Sequence, residues 1–265
     1  MEVTFTAPDP DDHGHDDASG TFTRDLRVVK VTTDGSGMAT APTFTANGVP
    51  GFYHVKAAVA GVRAPARFSL ANLLYPTTTT ITASPTTSFV GQLVAFTATV
   101  ASPAGPTPTG TVSFRMGSRI LGTGTLDGSG QATFSTSALP AGRHNVIAKY
   151  GGDNETAKST STSVTELVGL RPTTTNLLSS PNPSSRGQAI TFTVAVNSLL
   201  GGPPTGHAVL RDGNKKLAAA ALNASGQAVF SISTLTRGKH NVSAHYENDG
   251  VYESSSSAPL TQTVN

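Results

Sequence analysis

The sequence contains no cysteine and no tryptophan. Without cysteine there are no disulfide bonds and no thiol chemistry, so packed apolar cores must stabilise the fold. No run of about 18 apolar residues occurs, which is the length that a membrane-spanning helix needs. Charged residues make up only 13% of the chain, and the net charge is +2. We therefore expect neither membrane insertion nor a nucleic-acid partner.

Helical periodicity is also missing, since no window places apolar residues at the spacing of an amphipathic helix. The chain is instead rich in Ser, Thr and Val, with 27 glycines and 17 prolines. β-Branched residues favour strands, and Gly and Pro favour turns. This composition predicts an all-β protein.

A long segment of the sequence recurs at an offset of 96 residues. The matches include Gly91-Gln92 with Gly187-Gln188, Pro108-Thr109-Gly110 with Pro204-Thr205-Gly206, Ser129-Gly130-Gln131-Ala132 with Ser225-Gly226-Gln227-Ala228, and His144-Asn145-Val146 with His240-Asn241-Val242. A unit of this length fits one immunoglobulin-like sandwich of about 100 residues. The recurrence therefore predicts tandem domains.

Apolar residues alternate with polar ones inside each repeat, as in strands with one buried face. The alternating sets are Val94/Phe96/Ala98/Val100, Ile190/Phe192/Val194/Val196, Val112/Phe114, Ala132/Phe134 and Val146/Ala148/Tyr150. We expect these side chains to fill the space between two face-packed sheets.

A third, divergent copy lies at the N-terminus. Residues 34–40 match 127–133, residues 51–57 match 142–148, and Val3 and Phe5 correspond to Val112 and Phe114. This copy begins at its third strand, so we expect an incomplete first domain with unpaired strand edges. The expected domains are 1–74 (N-terminally incomplete), 75–169 and 170–265. Either the chain is cut from a longer one, or another chain supplies the missing strands.

The shared motifs resemble those of the bacterial Ig-like domain repeats found in large surface and secreted proteins. They comprise a Thr run, Ser180-Pro181-Asn182-Pro183, Gly-Gln, Pro-Thr-Gly, Ser-Gly-Gln-Ala and a Gly-x-His-x-Val strand. The resemblance implies tandem immunoglobulin-like β-sandwich domains at the bacterial cell surface or outside the cell. It brings no common catalytic residues, and we expect no enzyme.

Three functions remain open at this point. The first is a structural spacer or adhesive segment of a surface protein, with residues 73–80 and 166–175 as stiff joints of a rod-like chain. The second is a filament subunit that is completed by strand donation between chains. The third is a module that binds a glycan or an anionic polymer. The expected partners are other Ig-like modules of the same or neighbouring chains and a cell-surface glycan. Residues 1–5 read as a strand, so we expect any export signal to lie in upstream sequence.

Residues 9–17 form the one dense cluster of candidate metal ligands. The candidates are Asp9, Asp11, Asp12, His13, His15, Asp16 and Asp17. Carboxylates suit calcium and imidazoles suit zinc or nickel, but the spacing matches no EF-hand. The alternative is a solvated hairpin loop. We expect no cofactor other than calcium at this cluster.

Other recurring residues have structural and functional interpretations. His144 and His240 are expected to serve packing or turn hydrogen bonds, since neither repeat is expected to supply a nearby carboxylate or nucleophile at matching positions. The basic pairs Arg115/Arg211, Arg119/Lys215 and Arg143/Lys239 are expected at one end of each module, as surface charge or as contacts for an anionic polymer. Tyr75, Phe89 and Tyr252 are the expected exposed aromatic residues.

Overall fold

A computed structural model describes residues 1–10 and 17–265. These residues form strands, one short 3-10 segment (Thr23–Asp25) and no α-helix. The strands are β1 (Glu2–Thr6), β2 (Gly20–Phe22), β3 (Val28–Thr32), β4 (Phe44–Ala46), β5 (Gly51–Val59), β6 (Ala66–Asn72), β7 (Thr78–Ser84), β8 (Thr87–Phe89), β9 (Val94–Ala101), β10 (Thr111–Met116), β11 (Arg119–Thr125), β12 (Gln131–Thr136), β13 (Gly142–Tyr150), β14 (Ser159–Thr160), β15 (Val164–Gly169), β16 (Thr174–Ser180), β17 (Ile190–Asn197), β18 (His207–Asp212), β19 (Lys215–Ala221), β20 (Gln227–Ile232), β21 (Gly238–Tyr246), β22 (Ser255–Ser256) and β23 (Leu260–Val264). None of the described segments is a helix of the length and apolarity that crossing a membrane requires.

Spatial contacts divide the chain into two units. Unit 1 comprises Met1–Ala83, Ala95–Phe134 and Asn145–Val164. Unit 2 comprises Ser84–Val94, Ser135–His144 and Thr165–Asn265.

In unit 1, the first repeat forms a four-stranded sheet of order β3-β1-β5-β6 and a two-stranded sheet of β2 and β4. The second repeat forms one sheet of order β12-β9-β7 and another sheet in which β10 lies between β11 and β13. Phe5 lies opposite Ala57, and Phe114 lies opposite Ala148. These two pairs are equivalent in the sequence alignment of the repeats, so the structure confirms that alignment.

Unit 2 contains the whole third repeat. One sheet has the order β16-β17-β20, and the other has the order β19-β18-β21, with β22 and β23 both paired to β21. Side chains of β17, β18 and β21 meet in one apolar core that includes Phe192, Leu210 and Tyr246. Unit 2 also contains the parallel pair of β15 with β8, in which Val168 lies opposite Ser88.

The alternating sets predicted from the sequence are buried, apart from Phe134, which is half-buried and stacks on Phe114. The all-β prediction and the predicted inner faces of the strands are therefore confirmed. In the first repeat a smaller core gathers around Phe5, Phe22, Tyr53 and Val55. Among the described strands of this repeat there is no counterpart of β9 or β17.

Candidate functional site

The predicted metal cluster is described only at its two ends. Asp11, Asp12, His13, His15 and Asp16 lie outside the described residues. Asp9 forms an ion pair with Arg27, with 2.9 Å between Oδ1 and the guanidinium NH1. The backbone N–H of Asp17 donates to the carbonyl of Pro10, and its own carbonyl accepts from Asn47. Metal binding by these seven residues stays a prediction.

The recurring histidines both bond a backbone carbonyl four residues earlier. His144 Nε2 lies 2.7 Å from the Pro140 carbonyl oxygen, and His240 Nε2 lies 2.8 Å from that of Thr236. These contacts agree with the predicted turn hydrogen bonds. They hold the start of β13 and of β21 against the preceding loop.

The expectation that neither histidine has a carboxylate neighbour is wrong for the third repeat. His240 Nδ1 lies 2.7 Å from Asp212 Oδ2 at the end of β18. The carbonyl of Thr236, followed by the hydrogen bond to Asp212, raises the pKa of His240 above its ordinary value. In the second repeat, the position equivalent to Asp212 is Met116, which has no carboxylate to offer to His144.

The structure also shows a role for the Pro-Thr-Gly motif. Asp153 Oδ2 accepts from the N–H and the hydroxyl of Thr109 at 2.9 and 2.8 Å. Its Oδ1 accepts from the N–H groups of Glu155 and Thr156 and from the hydroxyl of Thr156. Partial burial favours a higher pKa for Asp153, but these donors outweigh burial and hold the pKa well below its usual range.

Asp249 repeats this arrangement in the third repeat. Its carboxylate accepts from the Thr205 hydroxyl at 2.6 Å and from the N–H groups of Val251 and Tyr252. Burial favours a higher pKa for Asp249, but the hydrogen bonds outweigh burial and lower the pKa. Sequence reasoning missed both carboxylates, although they recur at the same offset as the Pro-Thr-Gly motif.

A second polar motif closes the turn before β12 and β20. Asp127 Oδ1 accepts from the hydroxyl and N–H of Ser129 and from the N–H of Gln131, and Asn223 accepts from two equivalent N–H groups. Asp34 does the same in the first repeat. The serine hydroxyl, followed by the backbone donors, lowers the pKa of both Asp34 and Asp127. These acidic residues are therefore committed to turns.

The basic residues of the third repeat lie where predicted. The last residue of β18, Asp212, pairs with Lys215 of β19 and with Val242 of β21, three residues after Lys239. Arg211, Lys215 and Lys239 therefore lie at the same end of this sheet. Arg211 NH1 lies 3.4 Å from the Asn214 carbonyl oxygen, and Lys215 and Lys239 are exposed.

The prediction of three exposed aromatic residues is wrong for one of them. Tyr75 is 44% exposed, and Phe89 is also exposed. Tyr252 is only 6% exposed, because its hydroxyl donates to the Gly202 carbonyl at 2.7 Å and its ring lies under a guanidinium group. It cannot serve as a platform for stacking sugars.

That guanidinium group belongs to Arg171, which joins residues of two repeats inside unit 2. Its Nε donates to the Val90 carbonyl at 2.9 Å, and its carbon Cζ lies 5.8 Å from the centre of the Tyr252 ring. Its backbone N–H donates to Val251 and its carbonyl accepts from Glu253. A Cβ at Gly201 would collide with Arg171 NH1, so a larger residue there would require the end of the Arg171 side chain to move.

Comparison with known proteins shows which domain family these repeats match. The sequence model of the bacterial Ig-like domain (group 3) matches residues 81–169 and 177–265. No curated protein matches the chain.

Solved structures give more distant similarities. The fibronectin(III)-like modules of Clostridium thermocellum CbhA are 18% identical, with 69% of this chain and 92% of that chain covered and a TM-score of 0.30. The Yersinia pseudotuberculosis adhesin InvE is 18% identical, over 71% of this chain and 58% of that one, with a TM-score of 0.35. The Escherichia coli adhesin FdeC is 13% identical, over 84% and 76%, with a TM-score of 0.32. On the evidence of the two matched repeats, the chain belongs to the bacterial Ig-like domain family.

Proposed function

We propose that this chain is a structural spacer segment of a bacterial extracellular or cell-surface protein. The observation that carries the proposal is the tandem of bacterial Ig-like domains. Their recurring polar side chains serve the fold itself: Asp153 and Asp249 bind loops, Asp127 and Asn223 close turns, and the histidines bond carbonyls. Such a chain acts by holding other parts of its protein apart.

The Arg171 contacts support this role. A spacer is useful only if its joints limit bending, and a short linker does so best when side chains bind both of its neighbours. Arg171 follows β15 and contacts Val90 of the second repeat, while it also contacts Tyr252 and Val251 of the third repeat. The planar guanidinium group suits both the carbonyl and the aromatic ring.

Surface labelling of the source bacterium tests the proposed location. Antibodies raised against the purified chain are expected to label intact cells, and external protease is expected to remove the signal. An antibody against a cytosolic protein is the control, since it must label only permeabilised cells. Labelling that requires permeabilisation would contradict the proposal.

A second candidate function is binding to an anionic surface polymer, which the basic end of the third repeat favours. Arg211, Lys215 and Lys239 lie at one end of the sheet, and the nearby Asp212 is paired with His240. Binding to heparin or teichoic acid should then fall with salt and fall again in an Arg211→Glu/Lys215→Glu variant. Arg63→Glu/Lys158→Glu, at exposed residues outside the third repeat, is the matched control with the same change of net charge. Equal binding by both variants would remove this candidate.

A further inference from the structure

The sheet that contains β10 and β13 carries a shallow groove on its outer face. The groove lies in unit 1, has a volume of about 230 Å³ and is lined by Thr111, Ser113, Arg115, Lys149 and Gly151. The residues that alternate with the lining residues along the two strands are buried. Because successive side chains of a strand point to opposite faces, the lining side chains point away from the core. A ligand can therefore approach the groove from solution.

The strand register brings the two basic side chains of the groove together. Ser113 lies opposite Lys149, and Arg115 is the next outward-facing residue of β10. Arg115 and Lys149 are thus diagonal neighbours on one face, a separation that long side chains can bridge. An anion in the groove is therefore attracted by both cations.

The positive charge of the groove is not neutralised by an acidic partner. Among the described residues, neither Arg115 nor Lys149 forms an ion pair. Three of the four acidic residues of the second repeat are committed elsewhere: Asp127 and Asp153 accept hydrogen bonds from turns and loops, and Glu166 is buried against Ser88. The fourth, Glu155, does not line the groove.

The Arg115 guanidinium is partly shielded from water. The residue is half-buried, and its Nε is covered and has no hydrogen-bond partner among the described residues. Because Nε is covered, a ligand would contact the terminal nitrogens of the guanidinium group. Attraction between charges is stronger where water is excluded, and a side chain that is already restricted loses less freedom on binding. Arg115 is therefore better prepared to hold an anion than a fully exposed arginine.

The third repeat lacks two of the groups that form this groove. The residues equivalent to Ser113 and Gly151 are Val209 and Glu247. Val209 has no hydroxyl and is only 3% exposed. Glu247 places a carboxylate where the second repeat has no side chain, and a carboxylate repels an anion. The groove is therefore a feature of the second repeat alone among the two matched repeats.

We propose that this groove binds a tetrahedral oxyanion, sulfate or phosphate. Arg115 and Lys149 supply the charge, and the hydroxyl of Thr111 donates a hydrogen bond from the start of β10. A tetrahedral oxyanion offers acceptor oxygens in more directions than a carboxylate does, so it can bond all three side chains at once. Binding of an anion is not needed to hold other domains apart, so this activity lies beyond the spacer role. It also uses none of the residues at the basic end of the third repeat.

Titration of the full chain with inorganic sulfate tests the proposal. The backbone amides and the Nε–H of Arg115 are followed by NMR in a chain labelled with ¹⁵N, at an ionic strength held constant with sodium chloride. We expect saturable shifts centred on residues 111–115 and 149–151. Acetate is the control anion, and it should bind at least about fivefold more weakly because it offers fewer acceptor oxygens.

Gly151→Glu is the sharpest variant, because it introduces the residue that the third repeat has at this position. A Cβ at Gly151 would meet no atom within 4 Å, so the fold has room for the change. The new carboxylate should weaken sulfate binding at least about tenfold. Gly151→Gln is the matched control, since it adds a side chain of nearly the same size without the charge. It should bind sulfate within about twofold of the parent.

Removal of either cation tests its part in the site. Arg115→Gln and Lys149→Gln should each weaken sulfate binding at least about fivefold. Arg119→Gln removes the same charge from an exposed residue of the second repeat that does not line the groove. This variant should bind sulfate as the parent does. Circular dichroism checks that every variant is folded.

Two oligomers distinguish a polymer substituent from a free ion as the source of the oxyanion. A heparin tetrasaccharide carries sulfate groups, and a glycerol phosphate oligomer carries phosphate groups. Both are titrated into the Arg211→Glu/Lys215→Glu chain, so that the basic end of the third repeat does not contribute. An oligomer that binds more tightly than the inorganic ion, and that Gly151→Glu weakens, identifies a polymer; oligomers that bind no more tightly identify the free ion.

Three results would overturn the proposal. The first is a Gly151→Glu chain that binds sulfate as the parent does. The second is acetate binding equal to sulfate binding, which would remove the assignment to a tetrahedral oxyanion. The third is a set of sulfate shifts spread evenly over the basic residues of the chain, which would show general attraction to positive charge.

Discussion

At the scale of single residues, carboxylates hold the loops of the repeats together, although nothing in the sequence sets them apart from ordinary surface residues. Asp153 collects donors from Thr109, Glu155 and Thr156, and therefore ties the loop before β10 to the loop after β13. Hydrogen bonds to a charged acceptor are stronger than those between neutral groups. A single carboxylate thus fixes the ends of two neighbouring strands.

Asp153→Asn should destabilise the second repeat by about 1–3 kcal/mol at neutral pH, because one acceptor oxygen becomes a donor. The lowered pKa of Asp153 means that its stabilisation is present above about pH 4, where the unfolded residue is ionised. It is lost as the pH falls through the lowered folded-state pKa. Scanning calorimetry should therefore show the parent and the variant converging in acid.

Glu155→Gln is the control for this prediction, because it removes a charge from the same loop without touching the Thr109 contact. It should leave the transition temperature nearly unchanged. An Asp153→Asn chain that melts like the parent at pH 7 would show that the network contributes nothing.

His240 should respond to pH in the opposite sense. Its pKa is raised by the Thr236 carbonyl and by Asp212, so its stabilisation is full below about pH 6.5 and is lost as the pH rises through the folded-state pKa. Asp212→Asn should lower the pKa of His240, as an NMR titration of the imidazole would measure. An unchanged pKa would mean that the 2.7 Å contact with Asp212 has no electrostatic effect.

At the scale of elements, recurrence and alternation predicted the inner faces of the strands, because burial follows a period of two that is visible in the sequence. The insertion of β2 could not be predicted in this way, since the other repeats have no such segment. Asp153 and Thr109 are 44 residues apart, and only the folded chain brings them together. Tyr252 was misplaced because an isolated aromatic residue in a loop carries no periodic signal.

The parallel pair of β8 and β15 contains a buried polar contact that differs between repeats. Glu166 is 0% exposed, and its Oε1 accepts from the Ser88 hydroxyl at 2.6 Å. Its Oε2 has no hydrogen-bond partner among the described residues. The equivalent residue, Gln262, donates from Nε2 to the carbonyls of Pro181 and Thr263. A carboxylate has no N–H with which to make those bonds.

Glu166→Gln should therefore stabilise the second repeat by about 1–2 kcal/mol, since the amide gains carbonyl partners. The reciprocal change, Gln262→Glu, should destabilise the third repeat by about 1–3 kcal/mol, because it leaves carbonyls facing an acceptor. Calorimetry of the full chain and hydrogen exchange at β15 and β23 measure both effects. If both substitutions shift stability in the same direction, the role assigned to the amide is wrong.

At the scale of the whole molecule, a spacer has to resist pulling at its ends. In each matched repeat the last strand runs parallel to a segment near the start of the same repeat, with Leu167 opposite Thr87 and Val264 opposite Ser184. Pulling on the two ends of such a repeat loads this parallel pair along the strands. Its hydrogen bonds must then break together and not one after another, so the resistance should be concentrated in this pair.

Single-molecule pulling on the full chain should accordingly show two discrete unfolding events, each releasing about 300 Å of chain. Val90→Pro removes the N–H that donates to the Gly169 carbonyl at 2.9 Å, and it should lower the force of one event. The other event is the internal control, because the equivalent bond from Arg186 to Asn265 is unchanged. If Val90→Pro leaves both forces unaltered, the parallel pair does not bear the load, and the mechanical basis of the spacer proposal fails with it.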